Sequence, residues 1–284
     1  VSERDGDRPA LVLVAHGTRS TRGVDLVAAL AEEVSASVGL TRVAFVDVLG
    51  PSPAEVLRDL DGPAVVVPAF LASGYHVHTD VRREVAESGH PAARVTPALG
   101  PDPVLALVLR ARLREAGWRR GDAVVLAAAG SSDPRALADV RRAAAMLADL
   151  TEGRVDIGYV ATAQPRVPDV VRRVREETGR RVFVASYLLA HGLFHTRLGE
   201  SGADGVAEPL GVHPALVRLL VERYRAGVAA VDDLTAVEGV TAIEGVSVVE
   251  DIAAVEDVAA ERCSSVSGAA EAVPPLRRRV LPVR

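Results

Sequence analysis

Short apolar runs alternate along the chain with longer stretches in which apolar positions recur every three or four residues. In the first half the runs predict strands at Leu11–Ala15, Val43–Val48, Ala64–Ala69 and Arg94–Thr96. The stretches around them predict helices over Val24–Ser35, Pro53–Leu60, Thr79–Glu87 and Pro103–Glu115. Asp102 opens the last of these as an N-cap, and Pro103 follows at the first helical position, where a missing N–H costs nothing. Apolar strands separated by amphipathic helices are the pattern of a parallel sheet covered on both faces, so the predicted fold class is α/β.

Internal repetition sharpens this picture. PALGPDPVLALVLRARL (97–113) matches EPLGVHPALVRLLVERY (208–224), and LVLVAHGTRS (11–20) matches VVLAAAGSSD (124–133). AFVDVLGPSPAEV (44–56) lies over GYVATAQPRVPDV (158–170), and FLASGYH (70–76) over LLAHGLF (188–194). Four pairs in one order, offset by 111 to 118 residues, indicate a tandem duplication of one α/β unit with a junction near Gly117–Gly121. Two similar lobes are expected, 1–118 and 119–228, each a parallel sheet flanked by helices. Beyond 228 the chain changes to TAVEGV-TAIEGV-SVVEDI-AAVEDV, with Glu at 238, 244, 250 and 256. A period of six marks neither one face of a helix nor one face of a strand. Residues 229–284 are therefore expected to form a low-complexity, disordered, acidic tail; the alternative, a β-helix-like stack, would cover hardly more than one coil.

Charge follows that division. The tail carries ten Asp or Glu against five Arg, which accounts for the whole net charge of -5. There is no lysine; every fixed cation is an arginine, as a GC-rich genome also produces. An aromatic content of 3% and a neutral body argue against nucleic acid as a partner. Cys263 is the single cysteine and can form neither an internal disulfide nor a cysteine cage for a metal. No apolar run approaches the roughly 18 residues that cross a bilayer, and the first ten residues are charged where a secretory leader is apolar. The expectation is a cytoplasmic protein without a membrane partner.

Ligands of open parallel sheets collect beyond the carboxyl ends of the strands. His16, Asp47 and His76 occupy such places in the first half. Two imidazoles and a carboxylate suit a divalent first-row ion and leave coordination positions open. Each residue has a plainer reading: a strand-end histidine is commonly a structural hydrogen-bonding group, Asp47 can form an Asx turn, and His78 can open the following helix. The duplication acts as a control. Ala129, Ala161 and Phe194 stand where the first copy has His16, Asp47 and His76, while the Gly/Pro and apolar framework persists. Residues that the fold needed would not be lost from its twin, so the comparison points to a site confined to the first lobe. His191 and His195 remain in the second copy as candidates for facing the cleft.

AHGTRSTRG, FVDVLGPSP, VVVPAFLASGYHVHTDV and SYLLAHGLFHTRL resemble, in this order, the motifs of the sirohydrochlorin chelatases, the class II tetrapyrrole chelatases, in their two-unit bacterial form. The resemblance spans about residues 8–225. It implies two α/β lobes facing across a cleft, and insertion of Fe2+, or Co2+ in cobalamin-making relatives, into sirohydrochlorin. It implies no organic cofactor, the metal being a substrate, and a monomer or homodimer. Carried over, the family's metal-binding histidines match His16 and His76, which would also take up protons, and its acidic residue, usually Glu, matches Asp47. AHGLFH stands where APGFFH is commoner, making His191 an additional imidazole. Arg19, Gly74, His78, His191 and His195 are the residues expected at the substrate. Arg82, Arg83 and Arg197 are further cations near the motifs, with solvated helix surface as their ordinary role. Gly17, Gly74 and Gly192 would let backbone approach a flat ligand, the plainer reading of each being a turn glycine. The other readings are a metal or tetrapyrrole carrier using the same cleft, and a histidine phosphatase, which would need an arginine where this chain has Ala15.

Overall fold

The structure, a computed structural model, describes residues 8–74 and 76–241, with side chains except at 76–78 and 231–241. The first half places β1 (Ala10–Ala15), β2 (Thr41–Phe45), β3 (Ala64–Pro68) and β4 (Ala93–Val95) in one parallel sheet of order β2-β1-β3-β4. The second half repeats it with β5 (Ala123–Ala128), β6 (Val155–Tyr159), β7 (Val182–Tyr187) and β8 (Gly205–Val206), in the order β6-β5-β7-β8. Helices α1 (Thr21–Val38), α2 (Pro53–Arg58), α3 (Arg82–Ser88) and α4 (Pro103–Glu115) serve the first sheet. Helices α5 (Pro134–Thr151), α6 (Val167–Thr178), α7 (Leu193–Leu198) and α8 (Pro214–Thr241) serve the second.

The strands bury both faces, which is why their sequences read as continuous apolar runs. Along β1, Leu11, Leu13 and Ala15 enter one core cluster while Val12 and Val14 enter another. Along β5, Val124, Leu126 and Ala128 enter that same first cluster, and Val125 and Ala127 face away from it. The shared cluster takes in the buried faces of α1, α4, α5 and α8, so the two sheets rest on one common core. The outer faces are covered separately, the first by Val56 and Leu57 of α2, the second by Val167, Val170, Val171 and Val174 of α6. Among the described residues, 8–234 accordingly form one compact unit.

Several predicted boundaries move. Asp102 does cap α4, its Oδ1 accepting from the Val104 N–H at 2.9 Å. Strand β2 stops at Phe45 and not at Val48, because the chain turns: Val48 takes a φ of 69°, outside any strand. The helix expected from Thr79 begins earlier, as a π-helical turn over His76–Val81 that runs into α3. Helix α8 continues to Thr241, so the boundary expected after Val228 and the first hexad fall inside a helix. The expected disorder of the remaining hexads lies outside the described residues.

Candidate functional site

Both sheets turn the carboxyl ends of their central strands toward one cleft of about 630 Å³. The first lobe lines it with His16, at the end of β1, and with Phe70, Leu71 and Gly74 from the loop after β3. The second lobe adds Ser131 and Ser132 after β5, Thr162 after β6, Tyr187, Leu189 and Phe194. The lining is mostly alanine, leucine and phenylalanine, with hydroxyls concentrated on the second-lobe side.

His16 is exposed, and its ring stands 6.4 Å from that of Phe70 at an angle of 56°. The adjoining loop is built by three backbone bonds. Val46 N–H donates to Ala15 O at 3.1 Å, Asp47 N–H to His16 O at 3.0 Å, and Leu49 N–H to Asp47 O at 2.8 Å. These put His16 and Asp47 side by side. The Asp47 carboxylate is exposed and accepts the Val48 N–H at 2.7 Å through Oδ1. The bond is to the next amide and not to the one two residues on that an Asx turn uses, and it holds the carboxylate close to its own backbone.

The second lobe repeats the loop bond for bond. Val160 N–H donates to Ala128 O at 2.9 Å, Ala161 N–H to Ala129 O at 2.8 Å, and Ala163 N–H to Ala161 O at 2.6 Å. Gly17 and Gly130 share a φ of 98°, and a Cβ on either would stand 1.9 or 2.0 Å from the facing Asp47 or Ala161 carbonyl. Gly17 is therefore required by its own loop. The framework is common to both lobes; His16 and Asp47 are additions to it.

His76 and His78 lie on the π-helical turn that follows the Phe70–Gly74 loop. That loop is pinned by the second lobe. Tyr187 donates its hydroxyl to Leu71 O at 2.7 Å, and Ser73 N–H donates to Asp139 Oδ2 at 2.7 Å. Asp139 is 2% exposed and also accepts from the Arg142 guanidinium. Burial foremost, with the negative charges of Asp139 and Asp102, pushes the Tyr187 phenol above its ordinary range, so it stays a donor. The close fit extends to Gly100, whose Cβ would fall 2.3 Å from Leu71 O and 2.6 Å from the Tyr187 oxygen. Sequence reasoning missed Asp139 and Tyr187. The available signal for the first was a carboxylate on the apolar stripe Ala136, Val140, Ala143, Ala144, Leu147 of α5.

Other expected residues are placed less centrally. Gly74 lines the cleft, with Ala136 Cβ 3.2 Å from where its own Cβ would be. Arg19 is exposed on the loop between β1 and α1. Arg83 pairs with Asp80, Glu84 and Glu87 along its own helix, while Arg82 and Arg197 are exposed. His191 and His195 do not line the cleft. His191 Nε2 stands 2.8 Å from Glu208 Oε2, and His195 Nε2 is 3.2 Å from Ala207 O. Among the described residues, no helix is long and apolar enough to cross a membrane.

Comparison with known proteins agrees with this architecture. The sequence profile of the CbiX family matches residues 10–116 and again 123–226. The sirohydrochlorin ferrochelatase of Priestia megaterium is 24% identical over 236 residues, covering 74% of this chain and 87% of that protein. The structure of SirB from Bacillus subtilis with Fe3+ superposes with a TM-score of 0.69 at 23% identity, over 80% of this chain and 98% of that one. The sirohydrochlorin chelatase SirB from Bacillus subtilis subspecies spizizenii, in complex with cobalt, gives 0.67 at 20% identity, over 80% and 97%. Two successive matches to one profile, falling on two sheets of identical strand order, establish that the chain belongs to the CbiX family of sirohydrochlorin chelatases.

Proposed function

We propose that this chain inserts a divalent metal, Fe2+ in preference to Co2+, into sirohydrochlorin, using His16, Asp47 and His76 of the first lobe. The observation that carries the reading is the paired loop: identical backbone in both lobes, with His16 and Asp47 present only in the lobe whose next loop leads to His76. Its relatives' names and the family membership support the substrate.

The chemistry follows from the residues. Metallation places a dication among four pyrrole nitrogens and releases two N–H protons, so charge balances without a redox step. The ion must be held weakly enough to leave, and a base must stand where the protons emerge. A neutral imidazole does either task near pH 7. His16 and His76 present the ion and accept protons. Asp47, with Oδ1 tied to the Val48 amide, keeps Oδ2 for the ion or for an imidazole N–H. Phe70, Leu71 and Leu189 offer apolar surface to the macrocycle. Ser131, Ser132 and Thr162 line the same cleft with hydroxyls able to donate to its carboxylates, and Arg19 is an exposed cation on the loop after β1. The second lobe, lacking a counterpart of these ligands, serves as the opposite wall and as the clamp on the Leu71–Ser73 segment.

The test is metal insertion by His16→Ala and His76→Ala, each checked for folding by circular dichroism. Both are expected to lose at least 100-fold in rate with an unchanged spectrum of the folded chain. Rates near that of the parent in both variants refute the assignment.

A further inference from the structure

A second set of ligands lies on the other lobe, outside the cleft lining. One ligand atom each from His191, His195 and Glu208 falls within 4.8 Å of the others. His191 precedes α7 and His195 lies within it, and Glu208 follows β8, so two separate segments at the β7–β8 edge converge. The two imidazole rings stand edge to face with centroids 4.8 Å apart. His195 Nε2 lies 3.2 Å from Ala207 O; a carbonyl can only accept, so Nε2 is the donor in this bond and Nδ1 is the ring atom left for an ion. A backbone carbonyl that fixes one ring nitrogen is the usual support of a metal-binding histidine.

We propose that His191, His195 and Glu208 form a second site for a divalent first-row transition ion. Two imidazoles and one carboxylate are a ligand set for Fe2+, Co2+, Ni2+ or Zn2+, with the remaining positions left to water. Ligand atoms about 2.1 Å from a tetrahedral ion stand ~3.4 Å apart, so the His191–Glu208 pair, at 2.8 Å, has to open a little around an ion and any wider pair has to close. The Glu208 and His191 side chains are 57% and 37% exposed, which leaves both room to do so. The twin lobe has Ser73 in place of His191 and Pro97 in place of Glu208, so the fold does not require the set. The site also adjoins the first lobe: Thr18 Oγ1 is 3.9 Å from where a Cβ on Gly192 would lie, two residues along from His16. The proposal concerns ion binding by the chain alone and stands apart from the insertion reaction.

The probe is Co2+, titrated calorimetrically and by its visible absorption into the untagged full chain carrying His16→Ala and His76→Ala, which removes the first-lobe ligands. One Co2+ per chain is expected, with imidazole-coordinated d–d bands. Adding His191→Ser, the residue the twin loop carries, or Glu208→Ala is expected to weaken binding at least 10-fold, the fold being verified by circular dichroism. Failure of the folded double variant to bind Co2+, or equal affinity after both added substitutions, overturns the site. Absence of sirohydrochlorin metallation by the parent chain, with Co2+ binding by the double variant intact, would refute the function proposed above and leave this site standing.

Discussion

Replacing Asp139 by alanine tests whether the second lobe holds the loop that leads to His76. The carboxylate is 2% exposed and receives the Ser73 N–H at 2.7 Å together with the Arg142 guanidinium. A hydrogen bond to a charged group contributes about 1.5–3 kcal/mol, and truncation also leaves the Ser73 N–H without that acceptor. The Arg142 side chain is 65% exposed, so its ion pair adds little after solvent screening. The expected loss is about 2 kcal/mol, which in a unit of this size lowers Tm by ~4–8 °C. Asp139→Asn keeps an acceptor oxygen and is expected to lose less than half as much. Thermal unfolding by circular dichroism supplies the magnitude, and hydrogen exchange of the 69–74 segment supplies the location, where protection should fall first. A Tm within ~1 °C of the parent for Asp139→Ala, with exchange in that segment unaltered, would refute the clamp.

Further outcomes are expected. Burial raises the Tyr187 phenol above the ordinary value, so the folded state keeps it protonated while the unfolded chain ionises it near pH 10. Its stabilisation is therefore complete below pH ~10 and declines as pH rises beyond it. Urea unfolding of the parent and of Tyr187→Phe at pH 8 and 11 should show the parent losing about 1.4 kcal/mol more in total, all of it above pH ~10; parallel profiles would contradict the burial argument. Gly17→Ala and Gly130→Ala meet the same obstruction, at 1.9 and 2.0 Å, and each should cost about 1–3 kcal/mol in chemical denaturation. Only Gly17→Ala displaces the Asp47 carbonyl, so in calorimetry it alone should weaken Co2+ binding by a chain whose His191 is already replaced by serine. Equal weakening by both glycine variants would show that the loop next to His16 does not shape the first-lobe site.

The α/β architecture was legible because strands covered on both faces leave unbroken apolar runs such as LVLVA and AVVVP, and because Asp102–Pro103 marks a helix start by local chemistry. The duplication was legible because the same turns recur, and the two sheets share one strand order. His16 and Asp47 could be placed at strand ends, since a polar residue closing an apolar run has few other places to go. The end of β2 was hidden: VAFVDV remains apolar past the turn, and a valine at φ 69° leaves no sign in composition. Extension of α8 past 228 was hidden for a related reason, because a six-residue period suits neither helix nor strand as a pattern of burial. Contacts between distant segments were out of reach altogether. Asp139 meets Ser73, Tyr187 meets Leu71, and His191 meets Glu208 only through the packing of elements that are far apart in the chain.

Catalysis, as distinct from carriage of a metal or a tetrapyrrole, is settled most directly by turnover. Metal-free sirohydrochlorin and Fe2+ are supplied anaerobically in 50-fold excess over the chain, and the visible spectrum is followed. The account predicts conversion of many equivalents per chain at a rate above the uncatalysed one, abolished by His16→Ala and by His76→Ala. Conversion that stops at one equivalent, or a rate indistinguishable from that without protein, would contradict it.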